Sequence, residues 1–414
     1  MLKLAPRFVR ENPALALFSF LATASSGFGQ TFFVGAFGES FRQEFGLTHS
    51  GYGLCYSAAT LCAAALLLKF GAIVDRWPLR RVTSAALATL AIGCLVLGSA
   101  SSLLMFVVGL LLIRFGGQAM LPHIAISSAG RYFTTARGKA MALTAAGFPL
   151  AEAVLPGLAV LAIGSLGWRA PWYASAAVLL LVLLPVFIRL TRDAPDPHMV
   201  KQGGAGEGEG GTRRDALRDR GFFMLLPASI AVPFIVTAIF FHQAAVADLK
   251  DWPDGLLAQA FIGFAGGHLL SLLGAGWMID RLGAQRSFPL ILIPMIAGLL
   301  VVGFGESAFS PIIALTLVGL SQGGANATVG AIWPERYGVR HVGAIRSVVQ
   351  SVMVVSTAVS PILVGFLLDH EFSIVTLATA LAVFTFASSV MAWQAGPYRG
   401  SRADDPGCIG NGID

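Results

Sequence analysis

The sequence contains a series of apolar stretches, each about as long as the roughly 20 residues that a helix needs to cross a bilayer. Charged residues make up only 12% of the chain, about half the usual share in soluble proteins, so a soluble fold could not cover this much apolar surface. The pattern predicts an all-α membrane protein with twelve transmembrane helices. The predicted helices cover residues 14–37, 49–70, 82–100, 103–130, 140–164, 171–190, 221–247, 256–278, 288–305, 310–334, 344–368 and 374–395.

The gaps between these stretches are short, except for 191–220, which contains a glycine-rich run at 203–211. Such a run is typical of a flexible linker, and this one lies between the sixth and seventh helices. The sequence therefore predicts a six-helix bundle at 1–190, a linker at 191–220, a second six-helix bundle at 221–395 and a tail at 396–414.

Basic residues indicate the orientation, because they are enriched on the cytoplasmic side of membrane proteins. With the N-terminus inside, nearly all of the 28 Lys and Arg fall in inside segments. Arg42, Arg169 and Lys250 are the exceptions outside, and Arg114 lies within a helix. We therefore expect both termini in the cytoplasm of a bacterium whose inner membrane holds the protein. Attraction to anionic lipids explains the net charge of +6, so no nucleic-acid partner is expected.

The two halves repeat each other. Adding 205 to a residue number brings several residues of one half onto identical residues of the other, clustered in two inside loops. Because each half holds an even number of spans, the copies are parallel and related by an axis along the membrane normal, with a central cavity between them. The matching pairs include Gly71 with Gly276, Asp75 with Asp280, Arg76 with Arg281 and Arg131 with Arg336.

Two loop motifs and one helix motif carry a resemblance to the major facilitator superfamily. This resemblance covers nearly the whole chain and implies a secondary transporter, a monomer of twelve helices that works by alternating access. The motifs are Gly71-x-x-x-Asp75-Arg76, Gly276-x-x-x-Asp280-Arg281-x-Gly283 and the Arg114 to Gln118 spacing in the fourth helix.

The loop motifs have two interpretations. Asp-Arg pairs at a membrane surface can simply cap helices and fix topology. The resemblance instead implies a gate, in which Asp75 meets the start of helix 11 and Asp280 the start of helix 5, where the positive ends of the helix dipoles attract carboxylates. We assign the gate to Gly71, Asp75, Arg76, Arg131, Gly276, Asp280, Arg281 and Arg336.

Arg114 and Glu152 lie at similar depths in consecutive helices, Arg114 being about 16 Å into helix 4 at 1.5 Å per residue. Buried charge in a membrane needs a partner or water, so the two suggest an ion pair. That pair either locks helices 4 and 5 or belongs to a site, where Arg114 binds an anionic substrate or tunes the protonation of Glu152.

Other polar residues within helices are weaker candidates. His268 could titrate near neutral pH or simply pack. The resemblance places Gln30, Arg114 and Asn326 on cavity-lining helices, although polar side chains also tie helices together. We include Gln30, Gln118, His268 and Asn326 in the substrate-binding and coupling set.

The segment from Arg131 to Lys139 is similar to that of the monocarboxylate and oxalate–formate branch, and with Arg114 it favours a small organic anion as substrate. A multidrug exporter of the same fold is the alternative, and a membrane sensor that binds without transport ranks low. Motifs for catalysis, metal binding or a phosphate loop are absent from the sequence. We therefore expect a transporter without cofactor or metal, whose partners are a small molecule, protons and the bilayer.

Overall fold

The computed structural model describes residues 7–133, 137–195, 211–338 and 342–396. Within these ranges the chain forms helices without any β-strand, and eleven helices are long and apolar enough to cross a membrane. The interrupted first span makes the twelfth, which confirms the predicted fold. The spans are α1 (Pro13–Ser25, Ser26–Gly29, Thr31–Val34 and Gly35–Phe37), α2 His49–Arg76, α3 Leu79–Gly98, α4 Leu103–Tyr132, α5 Gly138–Leu166, α6 Ala170–Leu190, α7 Arg220–Phe241, α8 Gln259–Leu282, α9 Ala284–Phe304, α10 Ser310–Tyr337, α11 Ala344–Asp369 and α12 Ile374–Gln394.

Hydroxyl side chains mark where several spans begin. Thr48, Ser102 and Ser373 each accept a hydrogen bond from a backbone N–H in the first turn of α2, α4 and α12. These bonds satisfy donors that the start of a helix leaves without an intrahelical partner. The glycine-rich run at 203–210 and the tail after 396 lie outside the described residues, so the four predicted chain segments stay a prediction.

The first span is not the continuous helix that the sequence predicts. Its backbone is extended at Gln30, with φ −86° and ψ 159°, between a 3₁₀ turn at Ser26–Gly29 and a short α-helix at Thr31–Val34. Gly29 lies where α1 meets α4 so closely that a β-carbon would come within 2.2 Å of the Ile113 carbonyl oxygen. The glycines around this point lower helix propensity, and neighbouring helices supply the hydrogen bonds that an interruption inside a membrane requires.

Large apolar side chains cover the outer surface of the helices. Leu68, Leu104 and Leu181 are between 74% and 86% exposed. So much exposed apolar surface is incompatible with water and fits a lipid environment.

The two halves meet near one membrane face, here called the opposite face, which carries the α1–α2 and α7–α8 connections. The basic face is the other one, with the α2–α3 and α8–α9 loops. On the opposite-face side, the ring of Phe241 in α7 stacks on Tyr52 of α2 at 4.2 Å between centroids. The amide of Gln243, just beyond α7, donates to the Phe32 carbonyl at 3.0 Å. These contacts close the opposite face.

Helices α2 and α11 diverge toward the basic face. Near the opposite face they touch where the Ser57 hydroxyl donates to the Ala358 carbonyl. Closer to the basic face, both helices are exposed on the same sides. Ser351, seven residues before Ala358 in α11, is exposed. Leu61, four residues after Ser57 in α2, is 44% exposed. Residues seven or four apart share a helix face, so the space between the halves opens toward the basic face.

Candidate functional site

The guanidinium of Arg114 lies where α1, α2 and α4 meet, and the residue is only 1% exposed. Its Nε donates to Thr60 Oγ1 at 3.1 Å, and its Nη1 donates to the Gly29 carbonyl at 2.9 Å. The guanidinium also lies 4.6 Å from the centre of the Tyr56 ring. Arg114 therefore satisfies a carbonyl that the interruption of α1 leaves free, in the first turn of a π-helical segment from Arg114 to Met120, a feature common at functional sites.

The predicted ion pair between Arg114 and Glu152 is wrong. None of the described carboxylates lies within salt-bridge distance of Arg114. The two side chains leave their helices in different directions: Arg114 toward α1 and α2, and Glu152 toward the other half. Arg114 thus keeps a buried positive charge without a counter-charge, which is costly in a membrane.

Glu152 instead bridges the two halves. Its Oε2 lies 2.7 Å from Nδ1 of His268 in α8, and the two side chains are 8% and 3% exposed. The other imidazole nitrogen, Nε2, lies 3.3 Å from Nδ2 of Asn326 in α10. Three of the predicted site residues therefore form one hydrogen-bonded chain from the N-terminal to the C-terminal half.

Gln30 and Gln118 belong to the Arg114 side of the site. Both are half-buried; Gln30 follows the carbonyl that Arg114 binds, and Gln118 lies one turn after Arg114 in the π-helical segment. The Gln30 amide is 3.5 Å from Ser26 Oγ. The structure therefore separates the six predicted residues into an arginine–amide group and a glutamate–histidine–asparagine bridge.

In the N-terminal half, the loop motif binds α4. Arg131 donates to the Val74 carbonyl at 3.1 Å and forms an ion pair with Asp75. His123 lies 3.2 Å from the Gly71 carbonyl, while Arg76 is exposed. Asp75 thus holds its own half together in this conformation. Among the described residues it forms no ion pair with α11, so the gate stays a prediction.

The equivalent motif of the C-terminal half has other partners. Asp280 is exposed, a β-carbon on Gly276 would meet nothing within 4 Å, and Arg281 stacks over Trp277 at 4.1 Å. Arg336, the counterpart of Arg131, has its ion pair with Asp219 rather than with Asp280, and it donates to Gln285 Oε1 at 2.9 Å, two residues past the motif.

Arg336 instead anchors the start of α7. Its Nε donates to Asp219 Oδ2 at 2.8 Å, and the Tyr337 hydroxyl donates to the same oxygen at 2.6 Å. Burial raises the pKa of the Asp219 carboxyl, but these hydrogen bonds outweigh burial and hold the pKa below its ordinary value. The repeat therefore preserves both arginines without preserving their contacts.

A carboxylate on the opposite face was missed by sequence reasoning. Asp369, the last residue of α11, accepts hydrogen bonds from the first amides of α2, at 2.8 Å from His49 N and 2.9 Å from Ser50 N. The only sequence signal is an acidic residue at the end of an apolar run. Tyr56 and Thr60 were also missed, although polar residues four apart on an otherwise apolar helix could have indicated them.

The sequence matches the model of the Major Facilitator Superfamily over residues 19–275 and 244–407. The chain belongs to this superfamily. It is a multi-pass membrane transporter and not an enzyme, and its fold supports secondary transport. No curated protein matches the sequence.

Solved transporters share the fold. A bacterial homologue of the human lysosomal transporter Spinster, inward-facing and unoccupied, has a TM-score of 0.67 at 14% identity, over 94% of this chain and 96% of that one. The same homologue in an inward-facing, occupied conformation has a TM-score of 0.66 at 14% identity, over 94% and 97%. The nucleoside transporter NupG has a TM-score of 0.68 at 14% identity, over 94% and 99%.

Proposed function

We propose that this protein is a secondary active transporter for a small organic anion and that Arg114 provides the charge that selects it. The observation that supports this proposal is the buried Arg114 guanidinium, which has no carboxylate partner among the described residues. A static structural role would be served at lower cost by a neutral donor, because an uncompensated charge is expensive in a membrane. A substrate carboxylate would supply the missing negative charge.

The half-buried amides of Gln30 and Gln118 are the groups that meet this anion, since Arg114 itself is covered in the described conformation. At an effective dielectric constant of about 20, a carboxylate about 6 Å from the guanidinium gains about 3 kcal/mol. That is roughly a hundredfold in binding, which is enough to select an anion over its neutral analogue without direct contact.

The transport cycle is alternating access between two conformations, driven by a gradient of protons or of a counter-substrate. The positive-inside rule makes the basic face the cytoplasmic one, so the described conformation is open to the cytoplasm. Asp75 and Asp280 join the halves at that face when it closes. The similarity of the loop from Arg131 to Lys139 to the monocarboxylate and oxalate–formate branch supports the same substrate class. Transport by a monomer in a bacterial cytoplasmic membrane completes the proposal.

A ligand-stabilisation assay on the purified full-length protein tests the substrate class. Benzoate and nicotinate are compared with their neutral amides and with tetraphenylphosphonium, and uptake into proteoliposomes follows for any ligand that stabilises. We expect carboxylates to raise the melting temperature where the amides do not. Arg114→Gln should lose most of this difference, whereas Arg114→Lys, which retains the charge, and Arg80→Gln, which removes an exposed charge from the same half, should keep it.

Stabilisation only by tetraphenylphosphonium would overturn the anion proposal and favour the multidrug exporter. If Arg114→Gln does not fold, Arg114→Lys provides the second test: because it retains the charge it should retain the preference for carboxylates, and loss of that preference would contradict selection by charge.

A further inference from the structure

Glu152 and His268 form a titratable contact between the two halves, deep in the membrane. We propose that Glu152, His268 and Asn326 form a proton-binding site shared by the halves, and that its occupancy shifts the balance between the two transport conformations. The proposal rests on the proposed alternating access, since only relative movement of the halves would work on this contact. Replacing a buried ion pair with packed apolar side chains is often neutral or stabilising, so packing alone does not account for it.

The two side chains meet at the same depth. Glu152 lies 14 residues from the start of α5 at Gly138, and His268 lies 14 residues from the end of α8 at Leu282. Both are therefore about 21 Å from the basic-face ends of their helices at 1.5 Å per residue, and Glu152 is equally far from Leu166 at the other end of α5, so the contact lies near the middle of the membrane. Because this contact joins the two halves, their relative movement in alternating access changes it.

Neighbouring helices bring no third charge to the bridge. The Arg114 side chain of α4 is directed at α1 and α2, and α10 directs Asn326 at His268. Within the described chain, α1 between Asn12 and Gly38 and α7 after Arg220 contain no ionisable side chain.

The remaining helices in contact with α5 or α8 carry their charges near the basic face. These are Arg189 at the end of α6, Arg286 at the start of α9 and, in α10, Glu335 and Arg336. Glu335 accepts from the first amides of α9, and Arg336 binds Asp219. The bridge therefore has a net charge of −1 without its proton and is neutral with it.

The Asn326 amide can form a hydrogen bond with the His268 imidazole in either of its protonation states. In the described arrangement its Nδ2 faces Nε2, where it donates to a neutral imidazole whose Nδ1–H donates to Glu152. A half-turn of the amide presents Oδ1 instead and accepts from the Nε2–H of an imidazolium. Asn326 is also exposed, and a polar side chain midway along a membrane helix faces water rather than lipid. It therefore connects the bridge to the opening at the basic face.

A single proton allows the halves to separate. When His268 is an imidazolium, its Nδ1–H bond can break as an O–H bond forms on Glu152, which leaves an imidazole and a carboxylic acid, both neutral. These two groups can part at modest cost. Without the proton, separation leaves a buried carboxylate that has lost its donor, which costs several kcal/mol. The unprotonated bridge thus holds the conformation that is open to the basic face.

The test measures conformation and needs no substrate. The four native cysteines are replaced in the full-length protein, and Ser351→Cys is added as a reporter, since this exposed position on α11 faces the opening. Labelling by a charged methanethiosulfonate is measured in liposomes from pH 5.5 to 9 and corrected for the reactivity of the denatured thiol. We expect corrected labelling to rise with pH, by up to tenfold per pH unit within the titration range.

Glu152→Gln keeps the shape and the hydrogen bond but cannot ionise, so the reporter should label independently of pH in this variant. His268→Gln provides a second variant that lacks the proton site, and Glu306→Gln, an exposed acid on the opposite face, should leave the pH dependence intact.

The proposal would be overturned if Glu152→Gln and His268→Gln showed the same pH dependence of labelling as the reporter protein without them. It would also be overturned if labelling of that reporter protein did not change with pH. A dependence of opposite sign that both variants abolish would overturn the proton-transfer step. Because labelling requires no ligand, a failure of the organic-anion proposal shows only in the uptake and stabilisation assays and leaves these outcomes unaffected.

Discussion

Asp369 fastens the C-terminal half to the N-terminal half at the opposite face, and removing it should release that face. Its carboxylate accepts hydrogen bonds of 2.8 Å from His49 N and 2.9 Å from Ser50 N, two amides that begin α2 and have no partner within the helix. The acceptor is charged and lies at the positive end of the helix dipole. Both contributions exist only while α11 and α2 touch.

The size of the effect follows from these contacts. Hydrogen bonds to a charged group contribute about 1.5–3 kcal/mol each when buried. The site is only partly buried, so solvent reduces the pair to about 2 kcal/mol in total. Asp369→Ala should therefore shift the ratio of the two conformations about 30-fold toward the one open at the opposite face. Asp369→Asn, which keeps one acceptor, should shift it less.

Electron–electron distance measurements between spin labels provide the assay. Labels at Ser101 and Ser307 lie in exposed opposite-face loops of the two halves, and a cysteine-free background keeps the labelling specific. The fraction of the longer distance should increase in Asp369→Ala. Glu371→Gln, which removes a negative charge two residues away, should not change it. A ratio that moves less than threefold in Asp369→Ala would refute the reasoning.

Two further predictions concern the loops at the basic face. Asp75→Asn should abolish uptake with membrane expression retained, because the closed basic face loses one of its proposed ties to α11; uptake at the level of the unmodified protein would contradict the gate. Asp219→Asn should lower stability by about 1–2 kcal/mol at neutral pH, because Arg336 and Tyr337 lose a carboxylate that is only partly screened by solvent. Since the pKa of Asp219 is held below its ordinary value, this contribution is present above about pH 4 and declines as the pH falls through the lowered pKa. Thermal melts of both proteins across acidic pH should therefore converge, and a constant difference would contradict the assignment.

Hydropathy was sufficient to predict the fold, because the spacing of apolar stretches depends only on position along the chain. Position along the chain also places Arg114 and Glu152 well inside their helices. The direction in which each side chain leaves its helix depends on how the helices pack. The contact of Glu152 with His268 of the other half, 116 residues away in the sequence, therefore could not be predicted.

The interruption of α1 at Gln30 also escaped prediction, since its apolar residues continue through the break. Glycines at 27, 29 and 35 were a local signal, but glycine is common in membrane helices. Only the approach of Ile113 to Gly29 and the donation from Arg114 show why the backbone opens at this point.

The repeat duplicates the scaffold without duplicating the bridge. Under the shift of 205 residues, Glu152 corresponds to Thr357 and His268 to Ala63, so the α2–α11 contact that is equivalent to α5–α8 holds no titratable pair at this depth. If both contacts carried the pair, two protons would be needed to free the halves. With one bridge, a single proton suffices, and the proposed stoichiometry is one proton for each change of conformation. The asymmetry also explains how one half can hold the anion through Arg114 while both halves share the proton.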